Sequence, residues 1–225
     1  MSSLKLLLSR RFGTMFAAMA LGAFNDNFYK NALIIITTYT LAEQMGVEAA
    51  TLLSIASAAF ILPFFLCSGL AGEIADRVPK HQLVRLLKIT EFFLILFAAA
   101  ALTYQHSWSM LVILFLLGMQ AAFFGPVKYA ILPELVEKDR LLQGNALIEA
   151  GTFLSILVGT LVGGLLILRP HGTEIVSASL VAASALGLWA AWRVPATHVT
   201  KPELRINYNI FASTWKMVRH AFENP

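Results

Sequence analysis

The sequence predicts an all-α, polytopic membrane protein of about six transmembrane helices, and three observations predict it. Of its 225 residues, 58% are hydrophobic and 13% charged, against roughly 45 to 50% and about 25% in soluble domains, and the mean hydropathy is +0.71. The apolar residues gather in runs of about 20 or more, where a buried helix of a soluble protein would carry a polar stripe every three or four positions. Short polar breaks separate the runs, so consecutive helices return antiparallel in one bundle.

The first run extends from Phe12 to Leu41 behind Lys5, Arg10 and Arg11. Basic residues before an apolar stretch resemble a signal peptide, but this run far exceeds a signal-peptide core and reads as a retained span. The remaining spans are expected at 51–72, 83–104, 108–130, 143–168 and 174–193. Polar and turn-forming breaks fall at 43–48, 73–80, 105–107, 133–140 and 169–173. A six-helix bundle over 1–194 is therefore followed by a segment of different character, 195–225. There NIFASTWKMVRHAFEN puts Ile210, Phe211, Trp215, Val218 and Phe222 on one helical face, the pattern of an amphipathic helix at the cytoplasmic interface. A plain solvated linker is the alternative.

Orientation follows from the basic residues, which cytoplasmic loops retain in excess. One side collects Lys5, Arg10, Arg11, Arg77, Lys80, Arg85, Lys88, Lys128, Lys138, Arg140, Arg193 and the basic residues of the tail, and the other only Arg169. The amino terminus and residue 225 are thus expected in the cytoplasm. The net charge of +4 lies in these loops rather than on one amphipathic face, which argues against nucleic-acid binding. The single cysteine, Cys67, sits in an apolar run and excludes an intrachain disulfide. No nucleophile stands beside a base, and His81, His106, His171, His198 and His220 are scattered among loops and tail. No catalysis, cofactor or metal centre is expected.

The informative residues are the polar ones inside the spans. Asp26 lies about 14 residues, some 21 Å, into the first span, where a charge costs at least about 3 kcal/mol. Lys30 is one turn further on and can pair with it, and Asn25, Asn27 and Asn31 surround both. Five polar residues within seven positions of a spanning helix cannot all face lipid, so this stretch is expected to line a polar cavity between helices. Lys128 and Glu149 should lie at similar depth in the fourth and fifth spans, as a helix-to-helix ion pair that is either structural or a cytoplasmic gate. Glu91 is a weaker candidate that can reach back to Arg85 or Lys88. Gly151, Gly159, Gly163 and Gly164 make a small-residue stripe for close helix approach.

The loop GEIADRVPKH resembles the cytoplasmic signature of the major facilitator superfamily, with Gly72, Asp76, Arg77 and Lys80 in the matching places and Pro79 where that family usually has glycine. The resemblance implies the amino-terminal half of that fold, with Asp76 and Arg77 holding two six-helix halves together. GTLVGG at 159–164 resembles an antiporter signature but has Thr160 in place of its proline.

A narrower resemblance lies in GAFNDNFYKNAL (22–33), FFGPVKYAILPELV (123–136) and GNALIEAGTFLSILVGTLVGG (144–164), which look like the bacterial lysophospholipid transporter family. It implies movement of lysophospholipids such as lyso-phosphatidylethanolamine across the inner membrane for reacylation, by alternating access. It also implies acyltransferase or acyl-ACP synthetase domains fused to some members, and cavity or gating roles for Asp26, Lys30, Lys128 and Glu149 with the asparagines beside them. Since that family has twelve spans, the other half is expected as a further segment or a partner. Two alternatives stand beside it: a proton-coupled carrier of drugs or small solutes working through Asp26, and a non-transporting membrane anchor for an acyltransferase.

Overall fold

A computed structural model describes residues 3–38 and 46–198, together with Arg219. The expected amphipathic face of Ile210, Phe211, Trp215, Val218 and Phe222, and the expected end of the first span at Leu41, lie outside the described residues. Among the described residues there are six long helices: α1 Arg10–Ile36, α2 Ala49–Arg77, α3 Lys80–Thr103, α4 Ser107–Ala130, α5 Leu141–Ile167 and α6 Gly172–Trp192. Short helical turns at Ser3–Leu7, Leu132–Leu135 and Lys138–Arg140 lie between or before them. Helices α2 to α6 are long and apolar enough to cross a membrane. At 27 residues, α1 is about 40 Å long, also sufficient, but its polar turn from Asn25 to Asn31 lowers its hydropathy below that of the others.

Local chemistry sets the ends. Ser9 caps α1, its hydroxyl accepting from the Phe12 N–H at 3.3 Å, which satisfies one of the free donors of the first turn. His106 does the same for α4, its Nδ1 accepting from Ser109 N–H at 3.3 Å. Between α2 and α3 the backbone is extended at Val78 (φ −105°, ψ 144°) and Pro79 (φ −55°, ψ 123°). These are values proline prefers, so the turn accepts Pro79 in place of glycine.

The helices pack in the spatial order α2, α4, α3, α6, α1, α5. Helices α2 and α5 therefore stand at the two ends of the arrangement, and they bury the smallest share of their apolar windows among the five spans. The α1–α5 seam is the tightest part. A Cβ added at Gly159 or Gly163 would come within 2.5 Å of the carbonyl oxygen of Phe24 or Phe28, so only glycine allows the backbones this close. The Phe24 and Phe28 rings stack on each other at 5.1 Å.

Apolar side chains form two cores, one above the other. One gathers Phe12, Met15, Ala75, Val84, Val127, Ile148 and Ala191 near the basic end, and the other Tyr29, Leu33, Leu52, Leu102, Met110 and Val176 near the opposite end. The buried Tyr29 hydroxyl is satisfied by donating to Met110 O at 3.0 Å. Along α1, α3 and α4 the polar residues Asp26, Lys88, Glu91 and Gln120 fall between the two cores.

The chain leaving α6 is tied back to the basic end of α3. Arg85 donates to the carbonyls of Trp192 and Val194, both at 3.2 Å, and its guanidinium lies 5.2 Å from the Trp192 ring centroid. Thr197 N–H donates to His81 Nδ1 at 3.0 Å, while the His81 N–H donates to Thr197 Oγ1 at 3.1 Å. His198 N–H donates to Glu134 Oε2 at 2.7 Å.

Candidate functional site

Where α1, α2, α3, α4 and α5 converge at the polar level they leave a cavity of about 260 Å³. Its walls are of two kinds: Met19, Phe60, Phe64 and Phe124 make an apolar side, and Asp26, Asn27, Lys88, Glu91, Gln120 and Lys128 a polar one. Asp26 is 9% exposed and Lys88 and Glu91 1%, so these charges sit where water cannot screen them and need partners within the protein.

Two of those partners lie on one helix. Lys88 Nζ is 2.6 Å from Glu91 Oε2, an i,i+3 pair on α3. Gln120 of α4 donates through Nε2 to the same Oε2 at 3.3 Å and to Leu87 O at 3.2 Å, which fixes the orientation of its amide. The arrangement leaves Asp26 Oδ1 and Glu91 Oε1 buried with no hydrogen-bond partner among the described residues. Two carboxyl groups and one paired ammonium thus share this level of the cavity, with Lys128 as a second lysine of its wall.

Glycine makes the Lys88 position possible. A Cβ at Gly22 would fall 2.4 Å from Lys88 Nζ and 3.3 Å from Glu91 Oε2. The Lys88 side chain therefore rests against α1 in the space a side chain would fill, one turn before Asp26. Its ammonium also lies 5.3 Å from the Phe124 ring centroid.

Of the five polar residues that α1 offers, the structure brings Asp26 and Asn27 to the cavity wall and not Asn25, Lys30 or Asn31. The expected Asp26–Lys30 ion pair is not formed: among the described residues no ion pair includes Asp26, and the Lys30 ammonium lies instead 5.2 Å from the Phe60 ring centroid on α2. One turn of spacing permits a pair, but the rotation of α1 points Asp26 towards α3 and offers Lys30 an aromatic face, which holds a partly desolvated cation by its quadrupole. Asn31 donates to Thr160 O at 2.7 Å across the α1–α5 seam, seated over Gly164, where a Cβ would come within 2.6 Å of its amide nitrogen. Asn27 Nδ2 bonds back to Ala23 O at 2.9 Å. The Asn25 amide is fully buried without a partner among the described residues.

Lys128 and Glu149 do meet, at 3.5 Å, joining α4 to α5. Tyr129 adds a hydrogen bond from its hydroxyl to the same Glu149 oxygen. This pair is more open than the Lys88 pair, with the two side chains 15% and 42% exposed. At the α2–α3 turn, Asp76 and Arg77 form the last residues of α2, Asp76 half-buried and Arg77 exposed, and Lys80, the first residue of α3, is buried 3.8 Å from Glu134 Oε1. A Cβ at Gly72 would meet no atom within 4 Å, so this face of α2 is open.

Lys88 and Gln120 are site residues that the sequence does not mark as such. In the sequence Lys88 reads as one more charge of the basic side, although its i,i+3 spacing to Glu91 is visible there. Gln120 is an isolated polar residue in VILFLLGMQAAFF, and that isolation is itself the available signal. Among the described residues there is no group of three or more His, Cys, Asp or Glu placed to hold a metal ion.

The model of the Major Facilitator Superfamily matches residues 12–222 of this chain. Similar curated proteins include the "Lysophospholipid transporter LplT" of Photorhabdus laumondii, 34% identical over 149 residues, which are 66% of this chain and 35% of that protein. The protein of the same name from Cronobacter sakazakii is 29% identical over 184 residues, 80% of this chain and 43% of its own length. That of Serratia proteamaculans is 29% identical over 160 residues, covering 71% and 37% respectively. The chain spans about two fifths of the length of the curated relatives it matches.

Proposed function

This chain belongs to the Major Facilitator Superfamily, and from that premise we propose that it is the amino-terminal half of a carrier that moves lysophospholipids across the bacterial inner membrane by alternating access. The observation that carries the reading is the two-sided cavity: the buried Asp26 carboxylate beside the apolar surface of Met19, Phe60 and Phe64. A lysophospholipid has the matching parts. Its ammonium meets the carboxylate by a charge-assisted hydrogen bond, its phosphate meets a lysine, for which Lys128 is the more exposed lysine of the wall, and its acyl chain lies on the aromatic wall. Movement across the membrane then needs no covalent chemistry, only exposure of the site to each side in turn.

A volume of about 260 Å³ is smaller than the roughly 300 to 1,000 Å³ of complete small-molecule sites, and α2 and α5 leave their outer faces open. We assign the rest of the site to a second six-helix half packed on those faces, with Gly72, Asp76 and Arg77 at the contact on the basic side. The excess of basic residues supports a cytoplasmic placement of that side, where acyltransferase and acyl-ACP synthetase domains, fused or separate, would reacylate the delivered lipid. Lys128–Glu149 bridges α4 and α5 close to that side and acts as a gate whose opening separates the two helices.

The test is uptake of labelled lyso-phosphatidylethanolamine into membranes lacking their own carrier, by the full-length polypeptide and by its Asp26→Asn variant. We expect uptake by the parent and a loss of at least about tenfold in the variant, the size typical for removing one member of a buried charged contact. Equal uptake by the two would remove Asp26 from the site. A second reading, proton-coupled exchange of another small solute, draws on the unpartnered Asp26 Oδ1 and Glu91 Oε1; uptake that collapses with the proton gradient would favour it.

A further inference from the structure

A second cavity, of about 460 Å³, opens at the basic end between the start of α1 and the turn that precedes α5. Arg10, Arg11 and Arg140 line it, with the buried Leu6, Leu135 and Val136 as its apolar part. Among the described residues none of these guanidiniums donates a hydrogen bond: Arg140 Nε lies 3.9 Å from both Glu137 and Asp139, beyond hydrogen-bond reach. The Arg140 side chain is only 22% exposed, so the cavity is where its planar fork of donors can find an acceptor.

The carboxylates nearby do not cancel this charge. Glu134 also lines the cavity but already faces Lys80 at 3.8 Å and accepts from the His198 N–H at 2.7 Å. Glu137 and Asp139 are 84% and 75% exposed, where water screens them. The cavity is therefore cationic.

Its depth identifies the anion that fits. The helical turn Ser3–Leu7 does not project away from the bundle but folds back on α1, where a Cβ at Gly13 would collide with Leu7 O. Its first residue is tied to α5, Ser3 Oγ accepting from Gln143 Nε2 at 2.8 Å. Gly13 and Gln143 stand at the starts of the spans expected from residues 12 and 143, so the segment 3–11 lies at the boundary between hydrocarbon and water. Leu6 turns into the core, whereas Leu4 and Leu8, one helical turn apart, are 64% and 77% exposed. Exposed leucines beside arginines at that depth form the pattern of a segment lying in the membrane interface.

We infer that this cavity binds the phosphate of an anionic phospholipid in the leaflet on the basic side, with Leu4 and Leu8 beside its acyl chains. Guanidiniums meet phosphate oxygens through paired hydrogen bonds, and basic pockets at the ends of membrane helices hold anionic head groups by the same attraction. Because the three arginines come from two elements, the bound phosphate bridges the start of α1 to the turn before α5. A lipid satisfies the arginines and the leucines together, which a soluble phosphate does not. The cavity shares no wall residue with the one around Asp26, so this site stands whether or not the chain carries lysophospholipids.

The test measures lipid binding by the full-length polypeptide purified in dodecyl maltoside. Dioleoyl-phosphatidylglycerol and dioleoyl-phosphatidylcholine are titrated separately, and binding is read from the rise in the thermal unfolding midpoint. Phosphatidylglycerol is expected to act at several-fold lower concentration than phosphatidylcholine. Arg10→Gln, Arg11→Gln and Arg140→Gln should each weaken phosphatidylglycerol binding by about fivefold. Arg193→Gln, at the same end of the bundle but outside the cavity, should leave it unchanged. Leu4→Ser with Leu8→Ser should weaken phosphatidylglycerol binding without altering the response to inorganic phosphate.

Four outcomes would overturn the proposal. Equal binding of the two lipids removes the selection for an anionic head group, and equal weakening by Arg193→Gln reduces the effect to the general basic charge of this end. Inorganic phosphate competing at matching concentration makes this a site for soluble anions. Parental phosphatidylglycerol binding by the Arg10→Gln, Arg11→Gln double variant empties the cavity of lipid and leaves its charge to an acidic protein segment. Arg10 and Arg11 are exposed, so their replacement leaves the packing intact, and this double variant decides the matter even where Arg140→Gln does not insert.

Discussion

Two lysine–glutamate pairs border the same cavity and behave as opposites. Lys88–Glu91 lies within one helix, at 2.6 Å, with both side chains almost fully buried. Lys128–Glu149 joins two helices, at 3.5 Å, with Glu149 42% exposed. A pair within a helix survives any movement of that helix against its neighbours, because both residues travel together. A pair between helices breaks when the helices part. The same two residue types thus supply a permanent feature of the site in one place and a contact sensitive to helix spacing in the other.

The largest difference between the pairs is expected in stability. Lys88→Ala or Glu91→Ala should each destabilise the protein by about 3 to 5 kcal/mol, because each strands the other charge in a buried site. The midpoint of thermal unfolding in detergent checks this, and a loss as small as that at Lys128 would erase the distinction drawn between the pairs.

The next effect is intermediate and separates the two pairs by position. Gly163→Ala would put a methyl group 2.5 Å from Phe28 O, so α5 must shift away from α1, at a cost of about 1 to 3 kcal/mol. Because Glu149 rides on α5 and Lys88–Glu91 does not, cross-linking between cysteines placed at 128 and 149 should change in this variant. Cross-linking between α3 and α4 should stay as it was.

The smallest effect on stability is expected at the open pair. Lys128→Ala or Glu149→Ala should cost under about 1 kcal/mol, as for most exposed ion pairs, yet alter the rate of lysophospholipid uptake. The swap Lys128→Glu with Glu149→Lys should recover that rate if the attraction itself gates the helices. Failure of the swap, with unfolding unchanged, would tie the two residues to the substrate rather than to each other.

How much of this is legible in the sequence varies with how local the cause is. The spans expected at 83–104, 108–130 and 174–193 agree with α3, α4 and α6 to within three residues at each end, and α5 starts two residues before its expected 143. The end of α2 runs five residues beyond the expected 72, through Glu73 and Asp76 to Arg77. Hydropathy stops where charge begins, whereas the helix stops where Val78 and Pro79 impose an extended backbone. The Lys128–Glu149 contact is legible because both residues sit near the same end of two consecutive antiparallel helices. The Asp26–Lys30 pair is expected for an equally good local reason and does not form, since Phe60 of another helix offers Lys30 an alternative.

From the sequence alone came the membrane setting, the number of long helices and their antiparallel course, because a hydrocarbon layer demands apolar length from each segment separately and the chain states that length locally. Which charge meets which was decided only by the tertiary structure. Helix rotation, and glycine notches such as Gly22 under Lys88 and Gly163 against Phe28, fix distances to tenths of an ångström between residues far apart in the chain. In a site buried away from bulk water, a charge takes the partner that those distances bring closest.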